Sequence, residues 1–423
     1  MSPSPLNGIK VLEFTQIIAG PLGCQFLADL GAEVIKVEPL AGEPWRLAAQ
    51  FIPTESKTFI GLNRGKKSLA INLQAEDSQQ VIHRLVKDID VVVINYRPDV
   101  AQRLAIDYET LSAIRPDLIY LDNTAWGREG SLADRPGYDI VVQAFSGMMS
   151  SVGKVNEQGA PQVGPAYADT TTGYSICAGV LAALFHRERT GEGQRVETSL
   201  LINALTTHMS QFQSLPVADQ QQRDEFLHAL ETARAEGTTY GDFLHTRDAI
   251  VKTAALGNVY YRVFETADGA IALGALSASL REKIRKSVGF EHNRDEPEYD
   301  PLNPAQQVID RQVTDIVEKL MKTRTTADWE QILTDGGVPC APVKFVQELL
   351  SDPHVRANDY VIELEHDLAG PIFMQAPPWK MSKSTLDPST ASPPLGRDND
   401  SLLKQIGYSA DEIEDLRSNG AIL

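Results

Sequence analysis

The amino-acid sequence predicts an α/β fold on a mostly parallel sheet. Short apolar runs of strand type alternate with stretches of helical spacing through residues 1–203. No glycine-rich dinucleotide fingerprint follows the first run. A polar, helical stretch at 204–254 then ends the alternation, and a second region of α+β character follows at 255–330.

The elements follow in order. "IKVLEF" is a strand, and "GPLGCQFLADLGA" a helix ending near Gly31. "EVIKVE" is the next strand, and "SLAINL" has the same character. "DSQQVIHRLVKDI" places Val81, Leu85, Val86 and Ile89 on one helix face and leads into the strand "VVVINY". "YETLSAIRPD" is a short helix, "LIYLDNTA" a strand, and "RVETSL" a strand after the Gly191/Gly193 turn. Such alternation requires a parallel sheet covered on both faces. Ligands bind beyond the carboxyl ends of such strands, so the loops after Glu38, Asn95 and Asn123 are the places to look. "QQQRDEFLHALETARAEG" is a connecting helix or a crossover arm. "YYRVFETADGAIALGAL" reads as a hairpin turning at Asp268-Gly269. Two helices and a strand near Pro342 come next. The C-terminal part is loop-rich and proline-rich, and closes on a small helix capped by Ser409.

The chain has 423 residues and a net charge of −18, from 39 basic and 57 acidic side chains. That balance excludes nucleic acid as the main partner, because phosphate backbones need a basic face. A small anion held by a local basic pocket stays possible. Cys24, Cys177 and Cys340 are scattered and odd in number, without the spacing of a zinc site. The N-terminus shows no basic segment leading into a long apolar run, and no stretch is apolar enough to span a membrane. A cytoplasmic protein is expected.

Five stretches can carry chemistry. In "YADTTTGYSICAGVLAAL", Asp169 is the only charge, set before an apolar helix. It is either an N-cap accepting amide hydrogens or a carboxylate nucleophile held at a helix N-terminus. "LNRGKKSLAINL" places Arg64, Lys66 and Lys67 around a glycine, as a solvated turn or a phosphate grip. "VINYRPDVAQRL" brings Asn95, Tyr96, Arg97 and Arg103 to a strand end, where arginine can fork a phosphate or simply face solvent. "RPGYDIVVQAFSG" sets Tyr138 and Asp139 in a turn before a helix, and "GEGQRVETSL" is a tight helix-to-strand connection.

In this order these stretches, with "GIKVLEFTQIIAGPLGCQFLADLGAEVIKVE" and "GGVPCAPV", resemble the class III CoA-transferase (CaiB/BaiF) family, which includes formyl-CoA transferase, the carnitine CoA-transferases and 2-methylacyl-CoA racemase. The resemblance implies Asp169 as nucleophile. It implies coenzyme A binding by Ile18-Ala19, Ile71, Asn72, Leu73, Gln74, Asn95, Tyr96, Arg97, Arg103 and the Pro136 to Asp139 loop with Tyr138 and Asp139, to which the basic loop adds Lys66 as a candidate contact. Gln16 to Ala19 would serve developing oxyanions. It further implies a large Rossmann-like domain made by both chain ends, 1–203 and 331–423, a linking arm at 204–254, a small domain at 255–330, and two subunits interlocked as a homodimer. Acyl-CoA and a small carboxylic acid are the implied substrates, with no metal and no redox cofactor.

Three departures shape the reading. Tyr138 stands where the racemase branch has a histidine, so the base for α-proton removal is missing and transferase is favoured over racemase. Ile18 stands where the formyl/oxalyl branch has glutamine, and "AALGNVYYRVFE" has Gly257 but no glycine run, which speaks against oxalate. Pro39 replaces a basic residue, with Arg46 as a candidate substitute. Ile18, Tyr138 and Tyr260-Tyr261 suggest an apolar pocket for an acid larger than formate. A CoA-binding scaffold without activity is the alternative from another class.

Overall fold

The computed structural model describes residues 3–251, 258–301 and 303–423. Gly257 and the end of the expected arm, residues 252–254, lie outside the described residues. Two compact units form. The first comprises Met1–Lys154, Gln162–Gln213 and Pro353–Leu423; the second comprises Val155–Pro161 and Ser214–Asp352.

The first unit begins with β1 (Lys10–Phe14), α1 (Ala19–Asp29), β2 (Glu33–Glu38) and β3 (Lys66–Ala70). It continues through α2 (Glu76–Val86), β4 (Val91–Ile94), α3 (Pro98–Arg103), α4 (Tyr108–Ile114) and β5 (Ile119–Thr124). Then come α5 (Asp139–Phe145), α6 (Tyr167–Thr190), β6 (Gln194–Ser199) and α7 (Leu200–Thr207). All six strands pair in parallel, in the order β3-β2-β1-β4-β5-β6. This is the doubly wound, Rossmann-like arrangement, and its order reverses between β1 and β4.

Side-chain alternation builds a core on each face of this sheet. Leu12, Phe14, Val92 and Ile94 join one cluster with Val81, Leu85 and Leu111. Val11, Val91, Val93, Ile119 and Leu121 join the other with Phe26, Leu27, Ile176 and Val180. On that second face α1 and α6 meet through glycines. A Cβ on Gly23 would lie 2.6 Å from Ile176, and one on Gly173 would lie 2.9 Å from Leu22. Gly23 and Gly173 sit about one turn beyond Ala19 and Asp169, so this contact brings the two helix starts together.

The second unit holds α8 (Pro216–Ala235), α9 (Tyr240–Val251), β7 (Tyr261–Glu265) and β8 (Ala270–Gly274), then α10 (Ala278–Val288), α11 (Pro304–Met321), α12 (Thr326–Asp335) and β9 (Cys340–Pro342). β7 and β8 form the hairpin expected around Asp268-Gly269, and β9 pairs antiparallel to β8. That pairing corrects the boundary read at residue 331. The run from 331 to Asp352 completes the second unit's own sheet, and the chain rejoins the first unit at Pro353. Tyr260 is fully buried in this unit's core, with its hydroxyl hydrogen bonded to His292.

The returning segment contains an antiparallel hairpin that the loop-rich reading missed, β10 (Val361–His366) with β11 (Gly370–Gln375). It ends in α13 (Asn399–Gln405) and α14 (Ala410–Ser418), the latter closed by a capping box between Ser409 and Glu412. The Asn72 amide donates to the Ala421 carbonyl, which ties the C-terminus to the end of β3. Among the described residues no helix is long and apolar enough to cross a membrane.

Candidate active site

A cleft of about 370 Å³ opens at the carboxyl ends of β1, β4 and β5, at the point where the strand order reverses. Gln16, Ile17 and Ala19 line it after β1, and Asn95, Tyr96 and Arg97 after β4. Asn123 and Thr124 come from β5, Tyr138 from the turn before α5, Leu200 from α7, and Asp169 from α6.

Asp169 is 6% exposed. The N-cap of α6 is Ala166, without a side-chain bond, so Asp169 lies inside the first turn and does not cap the helix. Its amide donates to Asp139 Oδ1 at 3.1 Å. Asp139 is fixed in turn by Gln143, whose side chain also donates to the Pro165 carbonyl at 2.9 Å and accepts the Gly164 amide at 3.2 Å. Among the described residues nothing donates to the Asp169 carboxyl. Burial, then the neighbouring Asp139 charge, push it up to about 7 from 3.8.

The loop after β1 is clamped from three sides. The Asn95 side chain takes both backbone groups of Gln16, accepting its amide at 3.1 Å and donating to its carbonyl at 2.9 Å. Ile17 has φ +74°, a left-handed conformation unfavourable for a β-branched residue. Its amide donates to Glu43 Oε2 at 2.8 Å. Lys36 Nζ lies 3.2 Å from the other Glu43 oxygen, 3.0 Å from Glu13, and 2.9 Å from the Thr15 carbonyl to which it donates. All of these charges are buried.

Of the residues singled out in the sequence, Gln16, Ala19, Asn95, Tyr96, Arg97, Tyr138 and Asp169 line one cleft. Asp139 touches it through the Asp169 amide. Ile18 faces a separate apolar groove of about 940 Å³ with Phe26, Tyr174 and Trp379. Ile71 is buried in the core, Asn72 and Leu73 are half-buried, Gln74 and Arg103 are exposed, and none of the five lines the cleft.

The basic loop is corrected. β3 starts at Lys66, two residues before the expected strand, and draws the charges inward. Lys66 Nζ is buried, 2.8 Å from Glu13 Oε2, and donates to the Pro21 carbonyl and Asn63. Arg64 forks onto Asp29 at 2.8 and 2.6 Å. Lys67 pairs with Glu33. Arg64 and Lys66 are thus consumed by internal carboxylates and cannot grip a phosphate, while Lys67 and Glu33 pair at the surface. Arg46 is likewise buried between Glu38 and Glu55 and cannot stand in for the basic residue missing at Pro39. Sequence reasoning pointed to the loops after Glu38 and Asn123 without naming Glu43, Asn123 or Thr124 as site residues, and it did not single out Leu200, at the end of β6.

The doubly wound sheet, with a buried carboxyl in the cleft beside its switch point, defines an α/β protein of the Rossmann-like class. The model of CoA-transferase family III matches residues 6–399. The chain belongs to that family. It is 30% identical to succinyl-CoA:glutarate CoA-transferase of Homo sapiens over 424 residues, covering 99% of this chain and 90% of that protein. It is 31% identical to formyl-CoA:oxalate CoA-transferase of Escherichia coli over 432 residues, covering 99% and 100%. Among solved structures, Rv3272 from M. tuberculosis matches with a TM-score of 0.74 and 28% identity, covering 95% of this chain and 99% of that one. A CaiB/BaiF family protein from Brucella suis matches with a TM-score of 0.72 and 26% identity, covering 96% and 100%.

Proposed function

We propose that the protein moves CoA from an acyl-CoA donor to a carboxylic acid acceptor through covalent intermediates on Asp169. The observation that carries this is the Asp169 carboxyl itself: buried, without a donor among the described residues, and facing the cleft at the sheet's switch point. A carboxylate so placed is poorly solvated, and poor solvation favours nucleophilic attack. The Asp169 carboxylate attacks the thioester carbonyl, giving a mixed anhydride and CoA thiolate. The thiolate attacks the Asp169 carbonyl and expels the donor acid, leaving an aspartyl-CoA thioester. The acceptor carboxylate attacks that thioester and releases the thiolate. The thiolate then takes the new acyl group and frees Asp169. No net proton moves.

Oxyanions formed on the way need preorganised donors. The first-turn amides of α1 have no acceptor within their own helix, and Ala19 at that start lines the cleft. Tyr96 and Arg97, which line the cleft, supply polar contacts for CoA, while Asn95 holds the Gln16 loop in place. A homodimer is part of the reading, supported by exposed Phe145, Tyr167, Phe185 and Phe212 on the first unit. The relatives' names, with succinate, glutarate, formate and oxalate, point to a small acid.

A second reading is epimerisation at the α-carbon of an acyl-CoA. It is favoured by an Asp169 that titrates at about 7 and so can carry a proton. One experiment separates them: mass spectrometry of the protein with a panel of acyl-CoAs, then hydroxylamine, for wild type and Asp169→Ala. A CoA or hydroxamate adduct at Asp169 supports transfer. Exchange of the α-hydrogen with deuterated water and no adduct supports epimerisation.

A further inference from the structure

We propose that Asn123 selects the acid, its side-chain amide hydrogen bonding to an oxygen of the acyl group away from the reacting carbon. This rests on the transferase reading above. Asn123 sits at the carboxyl end of β5, in register with Thr198 of β6, is 3% exposed, and lines the Asp169 cleft. Its Oδ1 is buried and accepts no hydrogen bond. Among the described residues its NH2 group has no acceptor either.

The contrast with the other buried asparagines, and with half-buried Asn95, is informative. Asn63 bonds to the Phe59 carbonyl and Lys66. Asn203 bonds to Thr198 and the Ser199 carbonyl. Asn399 bonds to both backbone groups of Ala70. Asn95, at the neighbouring strand end, is saturated by Gln16. Each is a structural clamp. Asn123 clamps nothing, yet it is desolvated, and a buried unpaired amide is unfavourable unless a partner arrives. Rotating the amide exchanges which atom faces the cleft, so the residue can donate to a carboxylate or carbonyl, or accept from a hydroxyl.

The reacting carboxyl must lie at Asp169, on the first turn of α6. Asn123 belongs to a different wall, the sheet. It is therefore assigned to the remote part of the acid. When the acyl group displaces water, an alkyl chain leaves the amide unpaired, whereas a hydroxyl or second carboxylate satisfies it. A site built to hydrogen bond rejects the analogue that lacks the group. The favoured substrates are hydroxy acids or dicarboxylic acids.

The test is a competition between acceptor acids of equal chain length, one alkyl, one hydroxylated and one dicarboxylic, with kcat/KM measured for each. Wild type should prefer the oxygen-bearing acids by about tenfold or more. In Asn123→Leu that ratio should fall about ten- to a hundredfold. Asn123→Asp, of the same shape, should reject the dicarboxylate by charge repulsion and retain the hydroxy acid, a split that mere structural damage would not produce. An unchanged acid preference in both variants would overturn the assignment. A wild type that moves no CoA at all would overturn the function instead. Calorimetric binding of the same acids then decides the contact: equal preference in wild type and Asn123→Leu refutes it, and loss of the oxygen preference in the variant upholds it.

Discussion

Replacing the Asp169 carboxyl by an amide should make the ligand-free protein more stable, and by an amount that depends on pH. In the folded chain the carboxyl titrates at about 7; its ordinary value is 3.8. Between these values the folded chain holds a proton that the unfolded chain has lost. Stability therefore falls as pH rises through this window, with the full penalty reached above about pH 7. At about 1.36 kcal/mol per pH unit, some three units set a ceiling of about 4 kcal/mol. The buried amide of Asp169→Asn has unpaired groups of its own, which offset about 1–3 kcal/mol of this. The diagnostic is the slope: the difference between Asn variant and wild type should grow in the variant's favour by about 2–3 kcal/mol from pH 5 to pH 8. Denaturant unfolding of the two proteins at several pH values, followed by hydrogen exchange in α6, measures it. A difference that stays constant over this range would refute the reasoning, since the carboxyl would then be ionised throughout. CoA transfer should be abolished in the same variant if Asp169 is the nucleophile proposed above, a carboxyl then held at a cost in stability.

The same titration governs rate. The acidic limb of kcat/KM should fall about tenfold per pH unit below about pH 7, and Asp139→Asn should move the limb to lower pH by removing the second cause of the shift; a limb unmoved in that variant would discard the Asp139 contribution. Glu43→Ala leaves Lys36 and the Ile17 amide short of a buried partner and should destabilise by about 3–5 kcal/mol in urea unfolding, with Glu43→Gln recovering part through its retained acceptor. Lys66→Met should lower stability while leaving the KM for acyl-CoA within about twofold, because its ammonium faces Glu13 and not a ligand; by contrast Arg97→Ala, at an exposed cleft position, should raise that KM about ten- to a hundredfold. Gly173→Val should uncouple α1 from α6 and reduce both stability and transfer, read by unfolding and by kcat together, since a Cβ there already meets Leu22 at 2.9 Å.

The fold of the first unit was legible because its strands are buried on both faces. A run such as Val91–Ile94 needs no partner to declare itself. β10 and β11 were not legible, since proline and charged residues on a hairpin apart from the main sheet dilute the alternation. The boundary at 331 failed for a related reason. "CAP" is a three-residue strand whose partner lies far back in the chain, at Ala270–Gly274. Of the site, Asp169 and Asn95 were legible from their places at a helix start and a strand end, and Gln16 only through the resemblance of its loop to the family's. The basic loop misled because charge in sequence carries no sign of burial. Whether a lysine meets water or a carboxylate depends on residues such as Glu13, which sits on another strand.

By itself the sequence determined the class of fold, the parallel sheet, the family and the acid at the start of α6, because these follow from local periodicity and from motifs read in order. Only the tertiary structure decided that Asp169 is not a helix cap, that Ile17 is held at positive φ by Glu43 and Lys36, that Arg64 and Lys66 are spent on internal carboxylates, and that Asn123 stays unpaired. The physical reason is the same in each case. Desolvation, pairing and strain belong to a side chain's surroundings, and those are assembled from segments far apart in the chain.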